Sequence, residues 1–129
     1  MTMTKNAIEV TPDPTRPAYQ GDVQFLRVAR VPSGAVEVPR EHGRLIVTHS
    51  ETGHHHAIDA AGPSLWAVPG DAMTAYLRVP AGSHADVVHH RPWDTHQTLR
   101  LLADESGETV YEIRRQREWA PEGWRRVED

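Results

Sequence analysis

Ten prolines and nine glycines are spread along a chain of 129 residues. They cut it into short pieces, a pattern that favours strands and turns over long helices. Between the breaks the apolar residues recur with the period of two expected of half-buried strands. Val23-Gln24-Phe25-Leu26-Arg27-Val28 places Val23, Phe25 and Arg27 on one face. Arg44 to His49 and His54 to Asp59 read as two strands joined by the turn Ser50-Glu51-Thr52-Gly53, a candidate hairpin. Leu65–Val68, Met73–Val79, Ala85–His89 and His96–Leu102 follow, each closed by a proline or glycine turn or a polar one. Residues 33–43 read as a loop or an edge segment. The longest piece, Thr109–Trp119, is rich in Arg, Glu and Gln and would suit a helix by composition. The alternation of Tyr111 and Ile113 and the preceding Gly107 favour a strand.

About eight short strands at regular spacing predict an all-β fold: a single-domain jelly roll, β-sandwich or small barrel. Residues 1–18, with Pro12, Pro14 and Pro17 and few large apolar side chains, read as an extended N-terminal arm. Residues 19–129 read as one β domain, and a chain of this length can bury a core without staples.

The absence of cysteine excludes disulfides, thiolate-held zinc or iron–sulfur clusters and a thiol nucleophile. No apolar run reaches signal-peptide or membrane-spanning length, so the expected location is the cytoplasm and no membrane is expected as a partner. A formal net charge of −4 offers no phosphate track, and no Gly-rich phosphate loop is present. Nucleic acid is therefore not an expected partner. No GxSxG nucleophile motif occurs either.

The histidines are the least ordinary feature. All nine fall between His42 and His96. In Gly53-His54-His55-His56, alternation on a strand aims His54 and His56 to one face and His55 to the other. Two imidazoles at that spacing can share an ion. The second piece, His89-His90-Arg91-Pro92-Trp93-Asp94-Thr95-His96, carries further imidazoles and a carboxylate. A set of three histidines, or two with a carboxylate, suits a divalent transition metal such as Zn, Fe or Mn. His54, His56 and His96 are the favoured ligands, with His90 or Asp94 as a fourth. Asp94 has two further readings: it can orient an imidazole by accepting its distal N–H, or serve as a turn residue. His42, His49 and His84, taken singly, read as structural, and Trp93 as a core aromatic.

The pieces QGDV (20–23), SETGHHH (50–56), HHRPWDTH (89–96) and RRQREWAPEGWRRVED (114–129) together resemble a family of small uncharacterised proteins from bacteria and their phages. That resemblance implies one folded unit over 20–129 and carries no reaction type. The chain also resembles the cupins more weakly. His54-His55-His56 supplies their HxH and Pro80-Ala81-Gly82 their PxG, with His84 or His90 as the later histidine. The cupin glutamate is missing. Asp59 stands near its place, on the strand face opposite His54 and His56. The cupin resemblance therefore implies a jelly-roll shape rather than a ligand set, and such a fold hosts enzymes and binders alike.

In the C-terminal piece, Trp119 and Trp124 read as anchors of the tail. Glu118 is a candidate general base beside Asp94, although a structural ion pair is the plainer role. The leading functional expectation is a histidine-ligated metal-binding domain acting on a small molecule. The alternative is a non-catalytic interaction or assembly module, a homo-oligomer in which the arm adds to a neighbour's sheet edge. A third expectation is a histidine catalyst that works with Asp94 and without a metal.

Overall fold

A computed structural model describes residues 8–10, 15–48, 55–89, 97–115, 117–120 and 123–126, the first and the last two stretches as backbone only. Every regular element among them is a strand. No helix there is long and apolar enough to cross a membrane.

Two turns show how local chemistry sets register. Strands β2 (Ala18–Gln20) and β3 (Val23–Val28) are joined by Gly21-Asp22, with Gln20 directly opposite Val23. Gly21 has φ 60. A glycine at the first central position of a two-residue loop is the signature of a type II′ hairpin turn, whose twist matches that of its strands. Cross-strand partners share a face, so Ala18 and Gln20 turn inward with Val23 and Phe25. Tyr19, one step out of phase, is 49% exposed. The second turn is Glu41–Arg44. Its ends exchange backbone hydrogen bonds of 2.8 and 3.1 Å, and both central residues, His42 and Gly43, have positive φ. That is the type I′ pattern.

The remaining strands are β1 (Ile8–Val10), β4 (Val36–Glu37), β5 (Leu45–Thr48), β6 (His56–Ile58), β7 (Ser64–Ala67), β8 (Thr74–Val79), β9 (His84–His89), β10 (Thr98–Leu102), β11 (Thr109–Arg115), β12 (Arg117–Ala120) and β13 (Gly123–Arg126). They form a five-stranded sheet, β1-β10-β9-β6-β5, and a six-stranded sheet, β2-β3-β11-β8-β7-β4, with β12 and β13 as a separate hairpin. Pairing is antiparallel except where β1 lies parallel to β10.

The inward faces of both sheets feed one core. Val23, Phe25, Leu77, Val79, Tyr111 and Ile113 come from the six-stranded sheet, and Leu45, Ile58, Ala85, Val87, Leu99 and Leu101 from the five-stranded one. The fold is a small all-β sandwich. Two separate sheets replace the closed barrel that the strand pattern also allowed. Thr109–Trp119 is β throughout its described part: β11 is the centre of its sheet, with Ile113 between Phe25 of β3 and Ala75 of β8. Its inward face repeats every second residue, which a helix cannot bury on one side. The hairpin of β5 and β6 forms as its apolar pattern predicts. The extra strands beyond about eight are pieces of two to four residues, too short to show a period. One of them, β4, lies in the segment expected to be a loop or edge, and it is the outermost strand of its sheet.

Candidate functional site

The strands sort the histidines by face. His42 sits exposed in its turn. On β9 the burial alternates from His84 to His89, so Ala85, Val87 and His89 face inward while His84 faces out. His84 Nε2 lies 4.0 Å from Asp86. That outer face includes Asp59 and Asp86, but each carboxylate is already held by an arginine: Asp59 by Arg44 at 3.0 Å and Asp86 by Arg100 at 2.8 Å. The Arg100 guanidinium holds the Asp86 carboxyl below its usual range, against an opposing effect of burial. His84 therefore lies beside a surface arginine–carboxylate pair.

His56 and His89 are the two histidines with no exposed surface among the described residues. They are cross-strand partners on β6 and β9. Their rings stack with centroids 4.1 Å apart and planes within 5° of parallel. Aromatic pairs of this kind contribute about 0.5–1.5 kcal/mol beyond the area they bury.

A bulge shapes the other flank. β5 and β6 pair Ile46 with Ala57 and then Thr48 with His56, so Val47 is an extra residue. Bulges bend a strand and re-aim its side chains. Here the bulge turns both Val47 and Thr48 into buried positions, and Thr48 stands opposite His56. Beside Thr48 lies a cavity of about 40 Å³, lined also by Met73, Ile113 and Arg115. It has room for a few waters and none for a substrate of ordinary size.

The third component comes from the opposite sheet. Gln20 is 2% exposed, and its side chain spans the two layers. Its Nε2 donates to the carbonyl oxygens of Val87 and Gln97, both at 2.8 Å. Its Oε1 lies 2.7 Å from His56 Nδ1. An amide has two N–H donors, and the two carbonyls take both. The amide oxygen can only accept, so His56 Nδ1 is the donor. A neutral ring with its proton on Nδ1 carries its lone pair on Nε2.

Of the residues singled out in the sequence, His56 is thus buried and hydrogen-bonded at the junction of the sheets. His49, His54, His90, Trp93, Asp94 and His96 lie outside the described residues. Glu118 is on β12, whose backbone pairs it with Arg125. The same pairing sets Trp119 opposite Trp124, and the side chains of both lie outside the description. Among the described residues no three of His, Asp and Glu converge as a metal cage.

Gln20 is absent from the sequence expectations, and His89 figures there only as one imidazole of the second histidine piece. His89 is the inward histidine of β9, and the buried positions Ala85 and Val87 two and four residues before it carry that signal. Gln20 was legible in the Gly21-Asp22 turn, which puts it opposite the apolar Val23. Glutamine opposite valine gives no hint of its partners, because those lie in the other sheet.

No curated protein and no solved structure matches the chain. A family model for a domain of unknown function, DUF8820, matches residues 19–116. That span takes in Gln20, His56, His89 and every strand from β3 to β11, and the chain is a member of the DUF8820 family.

Proposed function

We propose that this domain binds one divalent transition-metal ion, of the zinc, iron or manganese type, with His56 as the central ligand. One observation supports the reading: the buried His56 has its Nδ1 2.7 Å from the amide oxygen of Gln20, the kind of contact through which a ligating imidazole is oriented. Metal-bound histidines almost always donate their other N–H in this way. The remaining ligands are the sequence candidates His54, His90, Asp94 and His96, which lie outside the described residues. His89 has a different part. Imidazoles that share an ion must aim in-plane lone pairs at one point, and stacked parallel rings do not. His89 therefore packs against His56 and holds its plane.

Elemental mass spectrometry of untagged protein tests the reading. Wild type is expected to carry about one equivalent of metal, and His56→Ala and His54→Ala/His96→Ala to lose it. Metal-free wild type after reconstitution with zinc, iron and manganese would overturn it. A bound ion would serve either to tie the site together or to activate water for a small molecule.

The assembly reading has one observation of its own. β1, from the arm, adds in parallel to the edge strand β10, so this edge accepts a short strand and a neighbour's arm could occupy it. Light scattering across a concentration series, with and without residues 1–14, checks it: a monomer throughout counts against an assembly role.

A further inference from the structure

The outer face of the six-stranded sheet is turned away from the core and thus from His56. Cross-strand partners share a face, so the register sorts its residues into rows. One row runs Leu26, Glu112, Tyr76, Trp66 and Glu37, from β3 through β11, β8 and β7 to β4. The next runs Tyr19, Gln24, Arg114 and Thr74, inward from the edge strand β2. Tyr19, Tyr76 and Trp66 therefore stand on one face, the last two as direct partners across β8 and β7. Tyr19 and Tyr76 are three strand spacings apart, about 14 Å of sheet.

Between these aromatics the floor is polar. Glu112, with 15% of its side chain exposed, accepts from the Tyr76 hydroxyl at 3.3 Å and from Arg114 Nε. An ionised carboxylate has about four acceptor sites, so Glu112 keeps capacity for more donors. The Nη groups of Arg114 and the amide of Gln24 make no hydrogen bond among the described residues. Gln24, Leu26, Glu112 and Arg114 together line an open cleft of about 210 Å³. That is smaller than the pockets that enclose a whole ligand, as one subsite on an open platform is. Trp66 is held in place beyond it. Its indole N–H donates to Ser64 Oγ at 2.8 Å, and the Arg78 guanidinium, bound to Glu108 at 2.9 Å, lies 5.4 Å from its ring centre.

A sugar matches such a face. Its ring has an apolar C–H side that stacks on an aromatic ring, and a rim of hydroxyls that donate and accept. Charge decides against the other polymer that aromatics and arginines hold. Single-stranded nucleic acid needs a positive groove beside its stacking platform. Here Arg78 is paired with Glu108 and Arg114 with Glu112, and Glu37 adds a further negative charge. We infer that the outer face of the six-stranded sheet is a binding platform for an uncharged oligosaccharide. Tyr19, Tyr76 and Trp66 stack on sugar rings, while Gln24, Glu112 and Arg114 bond the hydroxyls of a ring seated in the cleft. The platform is independent of His56 and of any metal.

The test titrates the full-length ¹⁵N-labelled chain with cellohexaose, maltohexaose, N-acetylchitohexaose and mannohexaose as probes. At least one is expected to give saturable shifts in the amides of β3, β8 and β11 and in the indole N–H of Trp66. Tyr19→Ala and Gln24→Ala change residues outside the core, and each is expected to weaken that binding by about 3- to 10-fold with the fold intact. Trp66→Ala should weaken it at least as much. Asp86→Asn, on the outer face of the other sheet, is expected to bind as wild type does. Absence of shifts on this face with all four sugars would overturn the inference, as would shifts confined to the five-stranded sheet. Wild-type affinity in both Tyr19→Ala and Trp66→Ala would overturn it too. So would the same shifts produced by a thymidine oligonucleotide in place of the sugars, which would mark a base-stacking surface instead.

Discussion

His42 occupies the left-handed region with φ 52, beside Gly43 at φ 81. The tight turn between Glu41 and Arg44 demands positive φ at both positions, and a residue with a Cβ resists it. Histidine is tolerated there, but asparagine suits the conformation better because its short polar side chain bonds locally. His42→Asn is therefore expected to raise stability by about 0.5–1 kcal/mol, seen as a higher urea midpoint with an unchanged slope. A lower midpoint would show that the imidazole has a use in this exposed turn beyond occupying it. The same residue illustrates how clustering in sequence misleads. Nine histidines lie in one half of the chain, yet a turn sends His42 and a strand face sends His84 to solvent, while the pairing of β6 with β9 brings His56 and His89 together.

Pairs across strands carry the polar chemistry of the elements. Asp86 on β9 and Arg100 on β10 are direct partners, joined by two hydrogen bonds of 2.8 and 3.0 Å. The arginine lowers the Asp86 pKa in the fold. The stability that follows is therefore present above the unfolded-state value of about 3.9 and is lost as pH falls through the lower, folded one. Asp86→Asn should cost less than about 1 kcal/mol at neutral pH, because the pair is partly exposed. It should also flatten the acid limb of the stability curve below about pH 4. Denaturation midpoints from pH 2 to 7 check both, and an acid limb identical to wild type would remove Asp86 from the account. Strand identity at this scale was legible wherever a segment ran for two full periods, as in β3, β8, β9, β10 and β11. It was not legible for β1, β2, β4 and β13, and β12 was read only as the end of the long C-terminal strand. These are held by pairing with a neighbour, and two to four residues carry no pattern of their own.

For the whole molecule, one core joins the sheets, with Leu77 fully buried on β8. Leu77→Ala is expected to destabilise by about 2–5 kcal/mol through lost burial and the cavity left behind. Because that core is common property, hydrogen exchange should accelerate in β9 and β10 as well as in β8 and β11. Loss confined to one sheet would mean that the layers unfold independently.

Period-two alternation is a local property. It is written into residues that are neighbours in the chain, so the all-β class, the β5–β6 hairpin and the inward faces of the long strands follow from the amino-acid order alone. The company His56 keeps does not follow. Gln20 is 36 residues away from it in sequence, and His89 meets it only because β6 pairs with β9 rather than with β7. Which strands become neighbours depends on the sum of all burial and hydrogen bonding across both sheets, and no short window of sequence carries that sum. The tertiary structure decided that one glutamine, held by two carbonyls of the opposite layer, meets the imidazole of His56.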